Sequence, residues 1–159
     1  MSTYERIANW LAIGLFSLLL MLSVVGAVTL PDPVPIHYNL AGQIDRWGSP
    51  ATLLILPFVG LIVLVILFAA AKVHPDFMNF PGPRTPENVT RQLRNTRLML
   101  ASLRVFIMAL FLSLQTQTVW GMRNPQNRSI GWWLAVLLIP LFLLIGFFVW
   151  RSYRLIPRQ

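Results

Sequence analysis

Between two long apolar runs lies a polar stretch, Leu30–Pro50, holding one of the chain's two histidines, His37, and two of its five acidic residues, Asp32 and Asp45. An imidazole and two carboxylates are competent ligands for a divalent metal. The same groups could instead recognise a ligand or peptide through hydrogen bonds. Their spacing matches no strong metal motif, and Pro33, Pro35 and Gly42 leave the distances between them open. A structural reading also fits. Ile36-His37-Tyr38-Asn39-Leu40 alternates like a strand, Ala41-Gly42-Gln43 could turn the chain, and Ile44-Asp45-Arg46-Trp47 could return it. In such a hairpin Asp45 and Arg46 would fix the turn by hydrogen bonds, and Trp47 would rest on a membrane surface.

A second set of groups lies in an otherwise apolar run. Arg104 follows Arg97 by seven residues, and Gln115 and Thr118 follow Arg104 by eleven and fourteen, so the four share one helical face. Ser102, Ser113 and Gln117 add polarity nearby. A charge at the centre of a membrane span costs from about 2.5 kcal/mol upward. Two readings follow: a polar seam facing a bundle interior, lining a substrate path or gripping an anionic headgroup, or an arginine that snorkels back to the interface with Gln115–Thr118 at the opposite headgroup level.

Catalytic constellations are not visible. The serines lack a G-x-S-x-G context, no phosphate-binding glycine loop or dinucleotide fingerprint occurs, and no paired intramembrane carboxylates suggest a proton relay. With no cysteines, disulfides, thiol catalysis and thiolate metal sites are excluded. The expectation is a non-enzymatic protein with no cofactor and no bound metal.

The elements that must position these residues follow from composition. The 159 residues are 56% hydrophobic and 11% charged, with mean hydropathy +0.65. A soluble domain carries roughly 25% charge, so the solvent implied is lipid. Four segments, about 7–30, 51–71, 98–120 and 131–150, each approach the ~20 residues that cross a bilayer core, and backbone polar groups in hydrocarbon must bond internally, as helices do. The first run exceeds the ~7–15 residues of a signal-peptide core, although Gly26-Ala27 resembles a cleavage site. Ser49-Pro50 suits a helix start. Pro57 and Pro140 would bend their helices. The proline-rich stretch 74–84 is a loop, and a third helix begins near Thr85–Asn88, with either residue as cap.

The net charge of +8 is unevenly placed. Arg6, Lys72, Arg84, Arg91, Arg94, Arg97, Arg151, Arg154 and Arg158 fall on one side of the four spans, and Arg46, Arg123 and Arg128 on the other. The positive-inside rule then puts both termini and the 72–97 loop in the cytoplasm and Leu30–Pro50 outside. Tyr4, Trp10, Trp150 and Tyr153 would form an inner aromatic belt, with Trp120, Trp132 and Trp133 in an outer one. Read this way, the basic residues set topology and meet anionic lipid; no nucleic-acid partner is expected.

Leu30-Pro31-Asp32, Val34-Pro35-Ile36-His37-Tyr38-Asn39, Gly42 and Asp45-Arg46-Trp47-Gly48-Ser49 together resemble the signature of a bacterial membrane domain, domain of unknown function 1648, found at the N terminus of SdpI-type immunity proteins. With the flanking helices the resemblance covers about 70 of the 159 residues. It carries over the loop residues Pro35, His37, Asn39, Gly42, Asp45, Arg46 and Gly48. SdpI-type proteins protect a producing cell against its own secreted peptide toxin and can hold a transcriptional repressor at the membrane. This chain departs from them: they carry more membrane helices, and their second half has no counterpart here.

The expectation is one all-α integral membrane domain of a bacterial plasma membrane. Four transmembrane helices form an antiparallel bundle, with a short structured loop between the first two. Its partners are the bilayer and a peptide or envelope component bound at the outward loop. The alternatives are an accessory subunit of a larger membrane complex and a transporter or lipid-handling protein that uses Arg104.

Overall fold

The computed structural model describes residues 1–39, 43–123 and 131–157. Leu40, Ala41, Gly42, Arg128 and Arg158, and the side chains of Trp132 and Trp133, lie outside the described residues. Four helices, α1 (Thr3–Thr29), α2 (Ile55–Ala70), α3 (Pro86–Arg123) and α4 (Gly131–Arg154), are each long and apolar enough to cross a membrane, α2 together with the 3-10 segment Pro50–Leu54 that leads into it. A hairpin of β1 (Val34–Tyr38) and β2 (Ile44–Gly48) joins α1 to α2. The chain is a multi-pass membrane protein.

Each helix starts for a local reason. Ser2 and Glu5 form a capping box on α1, Glu5 N donating to Ser2 Oγ and Ser2 N to Glu5 Oε2. Ser49 caps the 3-10 segment with Pro50 at its first position. Of the two caps expected for α3 it is Thr85, whose Oγ1 accepts from Asn88 N. Pro57 sits at the third position of α2, where a missing N–H does little harm to the helix.

Successive helices run antiparallel, so α1 and α3 run the same way and form the most extensive helix pair. The buried α1 residues Ala8, Ala12, Leu19, Ser23 and Gly26 recur at intervals of three, four or seven, a narrow seam of mostly small side chains that lets backbones approach. Ala12, Leu64 and Met108 form the centre where α1, α2 and α3 meet, with Phe16, Phe68 and Phe111 packed around them. The outer surface is apolar: Ile7, Trp10, Phe58, Val65, Ile139 and Phe142 point away from the bundle. In water such a surface would be an aggregation liability; against acyl chains it is the ordinary state.

At 38 residues α3 is about 57 Å long, against a bilayer core of ~30 Å. Its first turns therefore project beyond the core, and there its inward face is polar. Gln92 Nε2 donates to Ser152 O at 2.8 Å, Ser152 Oγ donates to Gln92 Oε1, and Asn95 Nδ2 donates to Phe148 O at 3.0 Å. Asn88 Nδ2 donates to Pro81 O and Pro83 O. This ladder ties the end of α4, and the loop before α3, to α3. Arg84 organises that loop, donating to Pro75 O and Met78 O. Gly82 has φ +84 and lies so near Ile156 that a Cβ would stand 2.8 Å from its Cγ2. The N-terminal turn of α1, the 71–85 loop and the end of α4 thus share one end of the bundle, the basic end; the hairpin marks the other.

Two substitutions test this packing. A Cβ on Gly26 would stand 3.0 Å from Leu53 Cδ1 and 3.3 Å from Val119 Cγ2, whereas one on Gly14 would meet nothing within 4 Å. In reversible detergent-denaturant titrations Gly26→Val should therefore lower stability by about 1–3 kcal/mol, and Gly14→Val should change it by less than ~0.5 kcal/mol. Gln92→Leu should weaken the α3–α4 ladder by about 1 kcal/mol. Hydrogen exchange across 148–157 should then rise about five-fold; unchanged exchange would mean that the ladder does not hold α4.

Candidate functional site

The hairpin is irregular where its titratable groups lie. Pro35 pairs with Trp47, His37 with Arg46 and Tyr38 with Ile44, which leaves Ile36 on β1 and Asp45 on β2 without a direct partner. These bulges re-aim side chains. His37 Nδ1 lies 2.5 Å from Asp45 Oδ1, and both side chains are partly exposed. Asp45 therefore joins the strands through His37. The turn is held by Asn39 and Gln43: Asn39 N donates to Gln43 O at 2.8 Å, Gln43 N to Asn39 Oδ1 at 2.9 Å, and Asn39 Nδ2 to Gln43 Oε1 at 3.1 Å. Asparagine wins this role because its amide can bond backbone and side chain together across a short turn.

The root of the hairpin is fixed to the bundle through buried Val34 and Pro35, and β1 touches α3. Gly48 allows Ile36 to lie across β2, since a Cβ there would stand 3.0 Å from Ile36 Cδ1. Ile36, His37, Asp45, Arg46 and Trp47 are exposed. Because Asp45 occupies Nδ1, the imidazole presents Nε2 in a set orientation. A carboxylate orienting an imidazole is half of a hydrolytic triad. Among the described residues no three His, Cys, Asp or Glu residues are grouped to hold a metal, so Asp32 does not join His37 and Asp45. What the arrangement offers is a recognition surface: an oriented imidazole and a guanidinium beside two apolar side chains.

The expected seam on α3 divides. Arg104 is 2% exposed, so it does not snorkel. Its NH1 donates to Leu67 O and its NH2 to Asn9 Oδ1, both at 2.9 Å, and its guanidinium carbon lies 4.5 Å from the centre of the Phe68 ring. One cation thus ties α3 to α1 and to the last turn of α2, whose carbonyl end favours positive charge. Gln115, 3% exposed, donates from Nε2 to Leu53 O at 3.3 Å. In an unbroken helix Leu53 O would accept from residue 57, but that residue is proline and has no N–H. Arg97 is exposed, and Thr118 donates its hydroxyl to Leu114 O within its own helix. Only Arg104 and Gln115 of the four are spent on joining helices.

Sequence reasoning missed Asn9, Gln92 and Asn95, and read Asn88 only as a possible cap. A lone asparagine near the start of an apolar run, and three amides on one face before a span, were the available signals.

Residues 14–61 match the family described as Domain of unknown function (DUF1648). An uncharacterized protein of Archaeoglobus fulgidus is 38% identical over 60 residues, which cover 33% of this chain and 33% of that protein. The match thus spans about a third of the relative's length. No solved structure matches the chain. The part of the chain that is similar to DUF1648 runs from Gly14 in α1 through the hairpin into α2, so the likeness takes in the bulged His37–Asp45 hairpin and both helices that carry it.

Proposed function

We propose that this chain is a non-enzymatic binding protein of a bacterial plasma membrane, and that its hairpin recognises a peptide or envelope component. The carrying observation is the His37–Asp45 pair, held on an irregular hairpin beside exposed Ile36, Arg46 and Trp47 on a root buried in the bundle. Aromatic residues and arginine are the types over-represented where partners dock, and a rigid root lowers the ordering cost of binding. Peptide recognition is also what the resemblance to SdpI-type proteins implies. The charge asymmetry supports a hairpin facing outward with both chain ends in the cytoplasm. A second reading, an accessory subunit of a membrane complex, is favoured by α4, which packs chiefly on α3 and leaves Val136, Ile139, Phe142 and Leu143 exposed among the described residues.

Photocross-linking in intact cells tests the binding reading. A benzophenone amino acid at Ile36 or Trp47 should give a discrete peptide or envelope adduct that Asp45→Ala diminishes. Adducts with membrane lipid alone at both positions would overturn it. Orientation is read separately in this cysteine-free chain. Gln43→Cys should label with an impermeant maleimide on intact cells, and Asn79→Cys only after permeabilisation. The reverse pattern would invert the topology.

A further inference from the structure

At the basic end a cavity of about 410 Å³ opens between the first turns of α1, the end of α2 and the middle of α3. That volume lies in the range of small-ligand sites. Its lining includes three cations, Lys72, Arg97 and Arg104, and one carboxylate, Glu5. Glu5 is buried, and its Oε2 accepts from Ser2 N in the α1 capping box. Among the described residues none of the three cations makes an ion pair. Arg104 hydrogen-bonds only neutral oxygens and its buried Nε–H has no acceptor, so the carboxylate of Glu5 is the single negative charge set against three cations.

A concentration of positive charge in a site of low dielectric is unfavourable unless an anion enters it. Position narrows the anion. Arg97 and Arg104 are two helical turns apart, about 10 Å along α3, so the cavity runs from the exposed Arg97 at its mouth to the buried Arg104 at its floor. Lys72 lies just past the end of α2, where a span meets headgroups. Basic pockets between membrane helices at this depth suit phosphorylated headgroups. A phosphate offers several oxygens to a guanidinium and an ammonium at once, and the Phe68 ring against the Arg104 guanidinium holds that plane still.

We propose that the Lys72–Arg97–Arg104 cavity is a phosphate-binding site, filled by the phosphate of an anionic phospholipid headgroup or by free inorganic phosphate. The site is at the far end of the bundle from the hairpin and stands independently of the hairpin's role. It gives the buried Arg104 a ligand in addition to its ties to α1 and α2.

The test uses the full chain in phosphatidylcholine nanodiscs, in three arms: no addition, phosphatidylglycerol in the disc, or inorganic phosphate in the buffer. Native mass spectrometry and thermal melting read occupancy. Wild-type protein should retain and be stabilised by phosphatidylglycerol if the source is a headgroup, or be stabilised by inorganic phosphate if it is the free ion. The double variant Lys72→Gln/Arg97→Gln, which keeps Arg104 and its helix ties, should bind roughly thirty-fold more weakly. Arg91→Gln changes an exposed cation of the same end that is already paired with Glu87, and should shift binding less than about two-fold. Three results would overturn the proposal: no effect of either anion on the wild type, equal binding by the double variant, or an equal loss in Arg91→Gln, which would mean diffuse surface attraction.

Discussion

A guanidinium buried in a bundle whose outer surface is hydrocarbon-facing must be compensated within reach of its own side chain. Arg104 is compensated by one carbonyl from the last turn of α2, one amide oxygen from α1 and the face of Phe68. Because these partners come from separate elements, satisfying the cation fixes the relative position of three helices. Lipid supplies no hydrophobic force to press helices together, so packing and a few interhelical hydrogen bonds carry that task. The small-residue seam of α1 brings the backbones close enough for side chains as short as Asn9 to take part.

The same logic repeats along α3. Gln92, Asn95, Arg104 and Gln115, all buried on it, donate to backbone carbonyls of neighbouring elements. Gln115 donates to the carbonyl that Pro57 leaves without its usual donor. Gln92 donates to Ser152 O, near the end of α4, where helix carbonyls run out of partners. Phe148 O accepts from Asn95. α3 is thereby the element on which the other three helices are positioned, and the hairpin inherits its fixed base from the helices on either side.

Much of the fold was legible because lipid imposes simple rules. Four apolar runs of the right length, Ser49-Pro50 at a helix start, Thr85 before another and strand-like alternation around His37 each map onto an element with edges shifted by a few residues. The sites were less legible. Register decides which hairpin groups meet: the pairs Pro35–Trp47 and Tyr38–Ile44 set His37 near Asp45, whereas a turn at 41–43 would have set it opposite Trp47. The face of Arg104 was apparent from spacing, but its direction was not: a snorkelling and an inward arginine share one sequence, and the difference lies in Asn9, 95 residues earlier in the chain. The α3–α4 ladder is long-range for the same reason.

The two ends of the molecule offer different chemistry. The hairpin end presents an oriented imidazole, a guanidinium and apolar side chains on a fixed root, as suits a polar partner with some apolar surface. The basic end gathers three cations against one carboxylate, as suits an anion. Arg104 links them structurally, since it holds the helices whose far ends carry the hairpin. The most direct measurement of that claim is a double-mutant cycle between Asn9→Leu and Arg104→Leu in reversible unfolding. A coupling of about 1 kcal/mol or more is expected for a real interhelical tie. Additive effects, with coupling within error of zero, would contradict Arg104 as the constraint that sets the bundle.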